Sequence, residues 1–319
     1  MEDTSQDKQE VPFGAMPAPV SRRPEEPRVR MVLLVQLGLS LLFSLAGALV
    51  FKAIAQLAGW DDAVLNGILA PDAAPGERWQ MRLLLVISHL GTFVLAGWVT
   101  AGIFYPSFAR TLAYLQAGVA PRAREVFNGI LLMLLAIPLV LFLYGVNKAI
   151  PLPDSFHLLE EQTNNAIKGL LQMDNSLELL ANLSLIALLP ALGEELVFRG
   201  VVQQQLMRRI RQPWLALTLA AALFSFVHFQ FEGFLPRMLL GVLLGWLYWH
   251  TRNFWVPVAA HFANNAAQVL GQYLYSRDMS TVDLEQDVDV PWYAALLSLV
   301  LVAAMIRWIK RSDDAGSVP

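Results

Sequence analysis

The stretch Leu185-Ile-Ala-Leu-Leu-Pro190-Ala-Leu-Gly-Glu194-Glu195-Leu-Val-Phe-Arg199-Gly200 is apolar enough to sit in a bilayer, yet it holds two adjacent carboxylates and an arginine. An acidic residue at the centre of a membrane helix costs about 2.5–3.5 kcal/mol on insertion scales. Two in succession, with Arg199 one turn later, point to use. On a helix, Glu195 and Arg199 are four apart in the acid-then-base order that lets them pair along one face. Glu194 is rotated by about 100° from Glu195 and faces elsewhere. One carboxylate is then neutralised by Arg199 while the other stays available as a base.

The rest of the chain supplies the setting. Its 319 residues are 56% hydrophobic and 15% charged, with a formal net charge of −3 and a mean hydropathy of +0.48. A soluble domain carries about 25% charged residues, so the composition is that of a polytopic membrane protein. There is no cysteine, which excludes disulfides, thiolate metal sites, a cysteine nucleophile and a lipoprotein anchor. A metal would have to rely on His, Asp, Glu or Asn, and the histidines are five: His89, His157, His228, His250 and His261.

Residues 1–30 are polar and rich in Pro, Arg and Glu, and read as a disordered tail. Eight apolar runs follow, each near the roughly 20 residues that cross a bilayer. They cover 31–53, 82–104, 128–148, 180–206, 213–230, 237–250, 254–273 and 291–309. The expected fold is therefore all-α, a bundle of about eight transmembrane helices. Arg22, Arg23, Arg28 and Arg30 precede the first run. Basic residues also mark alternate connections: Arg110, Arg122 and Arg124; Arg208, Arg209 and Arg211; Arg252; and Arg307, Lys310 and Arg311 at the end. The other connections are acidic, with Asp61, Asp62 and Asp72, then Asp154, Glu160 and Glu161, then Asp283, Glu285, Asp287 and Asp289. Positive residues stay inside, so an even number of spans puts both termini in the cytoplasm. The connection 151–178 is long, and Asn164–Leu171 has a weak helical pattern suited to the membrane surface. Gly241-x-x-x-Gly245 reads as close helix packing.

Two further i,i+4 pairs stand out on the later spans: Phe224 with His228, and His261 with Asn265. A Glu, two His and an Asn from three helices can hold a metal with open positions. They can equally hold a water beside a base, with His and Asn donating to an oxyanion. Each pair also has a packing explanation: a structural ion pair, an interfacial histidine, an interhelical hydrogen bond. His89 and His250 look isolated, and His157 falls in a connection. Centring each span leaves His228 five to seven residues, or about 10 Å, from the level of Glu194.

Glu194-Glu195-Leu-Val-Phe-Arg199, Phe224-Ser-Phe-Val-His228 and His261-Phe-Ala-Asn-Asn265, in that order, resemble the three motifs of the CAAX protease and bacteriocin-processing (CPBP, Abi) family of intramembrane proteases. Gly193 and Gly200 beside the first motif also look typical of bacterial members. The resemblance covers about 180–270 and divides the chain into a tail (1–30), N-terminal membrane helices and an extracytoplasmic connection (31–175), a catalytic core (176–275), and a last membrane helix with a tail (276–319). It implies an endopeptidase that cuts a membrane-associated or C-terminal, CAAX-like peptide in a bacterial inner membrane, with no nucleic-acid partner. Glu194 resembles the base that activates water, helped by His228. His261 and Asn265 resemble the oxyanion-stabilising or metal-facing pair, and Glu195 with Arg199 the supporting ion pair. A metal such as zinc, if used, would sit on Glu194, His228 and His261; a metal-free glutamate mechanism stays open. There is no His-Glu-x-x-His, Gly-x-Gly-Asp or Gly-x-Ser-x-Gly motif of the other intramembrane protease classes. A non-catalytic immunity or scaffold protein of the same fold, and a proton-coupled transporter, are the alternatives.

Overall fold

The computed structural model describes residues 26–60, 68–151, 153–280 and 290–315. The tail up to residue 25, Asp61 and Asp62, and the acidic run Asp283–Asp289 lie outside the described residues. All regular structure among the described residues is helical. In chain order the helices are α1 (Val29–Ala58), α2 (Pro75–Phe104), α3 (Phe108–Tyr114), α4 (Ala123–Lys148), α5 (Asp154–Leu171), α6 (Ser176–Arg209), α7 (Pro213–Phe226), α8 (Phe234–Thr251), α9 (Trp255–Ser276) and α10 (Trp292–Ala315).

Each of the eight apolar runs falls on a helix. Five helices, α1, α2, α4, α6 and α10, are long and apolar enough to cross a membrane. α7 is apolar but has 14 residues, about 21 Å at 1.5 Å per residue. Side chains such as Leu34, Leu41 and Leu45 on α1 and Leu297 and Val300 on α10 are exposed. In water such belts would be a liability; against lipid tails they are the expected surface.

Contacts between helix ends give the direction of each traverse. Glu26, just before α1, pairs with Arg208 at the end of α6 at 2.8 Å. Arg78 at the start of α2 pairs with Glu178 at the start of α6 at 3.0 Å. Asn253, between α8 and α9, and Trp255, the first residue of α9, donate to Val119 O and Ala117 O just before α4. Asn147, at the far end of α4, donates to Phe231 O before α8 and accepts from Leu235 N in its first turn. Arg277 after α9 reaches Asp174 O, before α6. Lys310, near the end of α10, stands over Trp214 at the start of α7. Helices α1, α2, α4, α6, α7, α8, α9 and α10 thus run alternately up and down. Arg28, Arg110, Arg122, Arg208, Arg252 and Lys310 gather at one end, and Glu160, Asp174 and Glu178 at the other.

α4 is the hub of one half. Its Leu132, Met133 and Ala136 pack on Leu243, Leu244 and Leu247 of α8, Val256 and Ala260 of α9, and Val302 and Met305 of α10. Pro138 interrupts its hydrogen-bond ladder, and Ser298 of α10 repairs the break: Leu139 N donates to Ser298 Oγ (3.3 Å), which donates to Leu135 O (2.5 Å). Neighbouring side chains commonly satisfy backbone groups freed by a membrane proline. In the other half, α2 and α6 are clamped by buried polar groups. Arg78 bonds Glu178 and Asp174, Arg82 bonds Glu178 (3.2 Å) and Asn182 (2.9 Å), and Asn182 caps Leu170 O at the end of α5. The 151–178 connection is more ordered than its weak pattern predicts: α5 spans 18 residues. Its Leu170 buries against Leu69, Ala73 and Met81, and its Glu160 accepts from Glu232 N at 2.7 Å.

Candidate active site

Three π-helical turns bracket the centre of the bundle: Leu90–Leu95 on α2, and Leu183–Leu188 and Phe198–Gln203 on α6. Between the last two lies the α-helical stretch Leu189–Val197, which carries both glutamates. Such turns shift the register of the side chains beyond them and recur at functional sites. The first follows His89 directly.

Glu195 is fully buried, and its Oε1 meets Arg199 Nη1 at 2.9 Å and His261 Nδ1 at 2.9 Å. Arg199 Nη2 donates to Gly241 O at 3.0 Å, and its guanidinium lies over the Phe224 ring at 4.7 Å. Phe224 is therefore the packing floor of the site, edge-on to His228, His261 and Phe198. Gly241 and Gly245 do more than allow close approach, because their exposed carbonyls accept from Arg199 and Gln203.

Glu194 faces the other way, as one residue of helical rotation requires. Its Oε1 is 3.8 Å from His228 Nε2 and 3.7 Å from His89 Nε2, and its Oε2 is 3.8 Å from His261 Nε2. The level mismatch expected for His228 is absent. Glu194 and His228 each stand 17 residues from Arg211, in the turn between α6 and α7, so the two antiparallel helices carry them to one depth. Phe198 and Phe224, each 13 residues from Arg211, meet edge to face by the same count. α7 ends at Phe226, and His228 lies in the turn after it, with Nδ1 on Phe224 O at 2.8 Å.

His89 corrects the reading of an isolated residue. Its ring leans on Phe93, and Nδ1 contacts Leu85 O at 3.3 Å. It reaches Glu194 because Gly193 lets α2 in: a Cβ there would lie 2.9 Å from Phe93 Cβ. Asn265, one turn beyond His261, donates to Ile186 O at 3.4 Å and accepts from Asn264; it is not turned toward Glu194. His250 stacks on Trp246 and takes no part.

The hydrogen-bond partners assign the imidazole tautomers. Leu85 O, Phe224 O and the Glu195 carboxylate only accept, so each Nδ1 carries the proton. In the neutral rings all three Nε2 lone pairs then face the Glu194 carboxylate. At 3.7–3.8 Å the gaps exceed direct hydrogen-bond length and suit an intervening water that donates. Neutral imidazoles and a carboxylate are also metal-ligand types. Among the described residues, however, no group of three or more His, Asp or Glu is spaced to hold a metal ion.

Residues 176–267 match the family described as Type II CAAX prenyl endopeptidase, Rce1-like. That segment is similar to Rce1-like endopeptidases. The match agrees with the resemblance carried by the three motifs and contains Glu194, Glu195, Arg199, His228, His261 and Asn265. His89 lies outside the Rce1-like segment. No curated protein and no solved structure matches the chain. The Rce1-like segment and the five long apolar helices are those of a multi-pass membrane protein.

Proposed function

We propose that the chain is an intramembrane endopeptidase in which Glu194 activates a water for attack on a peptide carbonyl. The observation that carries this is one carboxylate facing three imidazole Nε2 atoms at 3.7–3.8 Å, in a site where Arg199 is already committed to Glu195. A water held there donates one hydrogen to Glu194 and the other to a histidine. Glu194 takes its proton as the water oxygen bonds to the carbonyl carbon, and the carbonyl oxygen becomes an oxyanion. Asn265 supplies an amide donor to that oxyanion after leaving its long bond to Ile186 O. The proton on Glu194 passes to the amide nitrogen, the C–N bond breaks, and an acid and an amine leave. Glu195 and Arg199 are positioning residues that hold the His261 ring. Both termini lie in the cytoplasm of a bacterial inner membrane, and the substrate is a membrane-associated or C-terminal peptide.

The test is cleavage of a fluorogenic peptide panel by purified wild type and Glu194→Ala, each with and without chelator. Cleavage lost in the variant and indifferent to chelator supports a glutamate mechanism. Cleavage lost also on chelation and restored by zinc supports a metal-assisted one. Cleavage retained by Glu194→Ala sinks the assignment of the base.

A further inference from the structure

Arg237 is the arginine the site does not use. It stands in the first turn of α8, where the helix dipole disfavours a cation. Its Nη1 donates to Gln230 O at 3.2 Å and its Nη2 to Gln230 Oε1 at 3.0 Å. Gln230 is in turn held by Asn164 of α5 at 3.4 Å. Both acceptors are neutral, and among the described residues no carboxylate stands within ion-pair distance of Arg237. Glu160, on α5, is engaged by Glu232 N. The other buried arginines of the bundle are matched: Arg78 and Arg82 by Glu178, Arg199 by Glu195.

A half-buried guanidinium without a direct counter-ion is held at a cost that an arriving anion removes. Its position ties that anion to the chemistry, because Gln230, which it holds, stands two residues after His228, and His228 Nε2 lies 3.8 Å from Glu194. Gly233 leaves the guanidinium room, since a Cβ there would lie 2.9 Å from Nη2. The planar fork fits a carboxylate by two parallel hydrogen bonds.

We infer that Arg237 is a specificity residue that binds a carboxylate of the peptide substrate, beside Glu194 and next to α5. The inference rests on the proteolytic reading above, but its test does not need turnover. Glu194→Gln protein, with and without Arg237→Gln or Arg237→Lys, is titrated with three fluorescein-labelled apolar peptides. One ends in a free carboxylate, one is its C-terminal amide, and one is an amide with an internal Glu. Expected is about tenfold tighter binding of one carboxylate peptide than of the plain amide, the scale of a charge-assisted pair. Arg237→Gln abolishes the preference and Arg237→Lys keeps part of it. Which acidic peptide is preferred separates a chain terminus from an acidic side chain. Equal binding of all three peptides, no binding of any, or a preference that survives Arg237→Gln overturns the inference. Failure of the proteolytic reading appears separately, as a wild type that binds the peptides and cleaves none.

Discussion

Glu194 and Glu195 are chemically identical neighbours that the helix turns into unlike environments. Glu195 shares one oxygen between Arg199 and His261, so its replacement by Gln leaves a buried guanidinium against a neutral amide. Breaking such a buried pair costs about 3–5 kcal/mol, and thermal unfolding in detergent should show Glu195→Gln well below wild type. Glu194 has no arginine partner among the described residues, so Glu194→Gln is expected to unfold close to wild type while peptide cleavage falls by about 100-fold or more. Equal loss of stability in both variants would contradict the division of roles. His89→Ala tests the third imidazole. Losing one acceptor for the water, worth about 1 kcal/mol, should lower kcat roughly fivefold with KM little changed. The motif residues could be read from sequence because each has a polar or aromatic mate four positions along its own helix. His89 has such a mate in Phe93, but it stands outside the three ordered motifs and its partner Glu194 lies on another helix.

At the scale of elements, close approach of α2 to α6 is what completes the site. Gly193→Val would drive side-chain atoms into Phe93 and Val94, at an overpacking cost of about 1–3 kcal/mol. It is expected to depress cleavage more than Gly38→Val, where no atom lies within 4 Å of a Cβ. The clamp at the acidic end has its own signature. Arg78 with Arg82, and Glu178 with Asn182, are i,i+4 polar pairs on apolar helices with the spacing of the three motifs, yet nothing in the sequence analysis singled them out. Glu178→Ala leaves two buried guanidinium groups without their shared carboxylate, and its unfolding temperature should drop sharply. The π turns were not legible, because nothing in the apolar runs distinguishes a 3.6-residue turn from a wider one. The early end of α7 was likewise hidden, since Val227 and Phe229 continue its apolar character past the last helical residue.

For the whole molecule the deciding question is how many helices cross. Length and apolarity qualify five, an odd number that would put the two chain ends on opposite sides of the membrane. The packing favours an even count, because Glu26 meets Arg208 and Lys310 meets Trp214 at the same end of the bundle. α7, α8 and α9 fall short of a span in length or apolarity for reasons tied to the site. α7 stops where His228 must turn inward, α8 carries Arg237 in its first turn, and α9 carries His261, Asn264 and Asn265. Polar residues that line an interior are tolerated within a bundle although they lower hydropathy. The charges agree, with arginine concentrated at the shared end. Because the chain has no cysteine, single cysteines can report sidedness without background. Arg211→Cys and Ser312→Cys are expected to react with an impermeant maleimide only when the cytoplasmic face is opened, and Asp278→Cys from the outside of intact cells. Labelling of Ser312→Cys from outside, with Arg211→Cys protected, would break the proposed alternation and count against eight crossings.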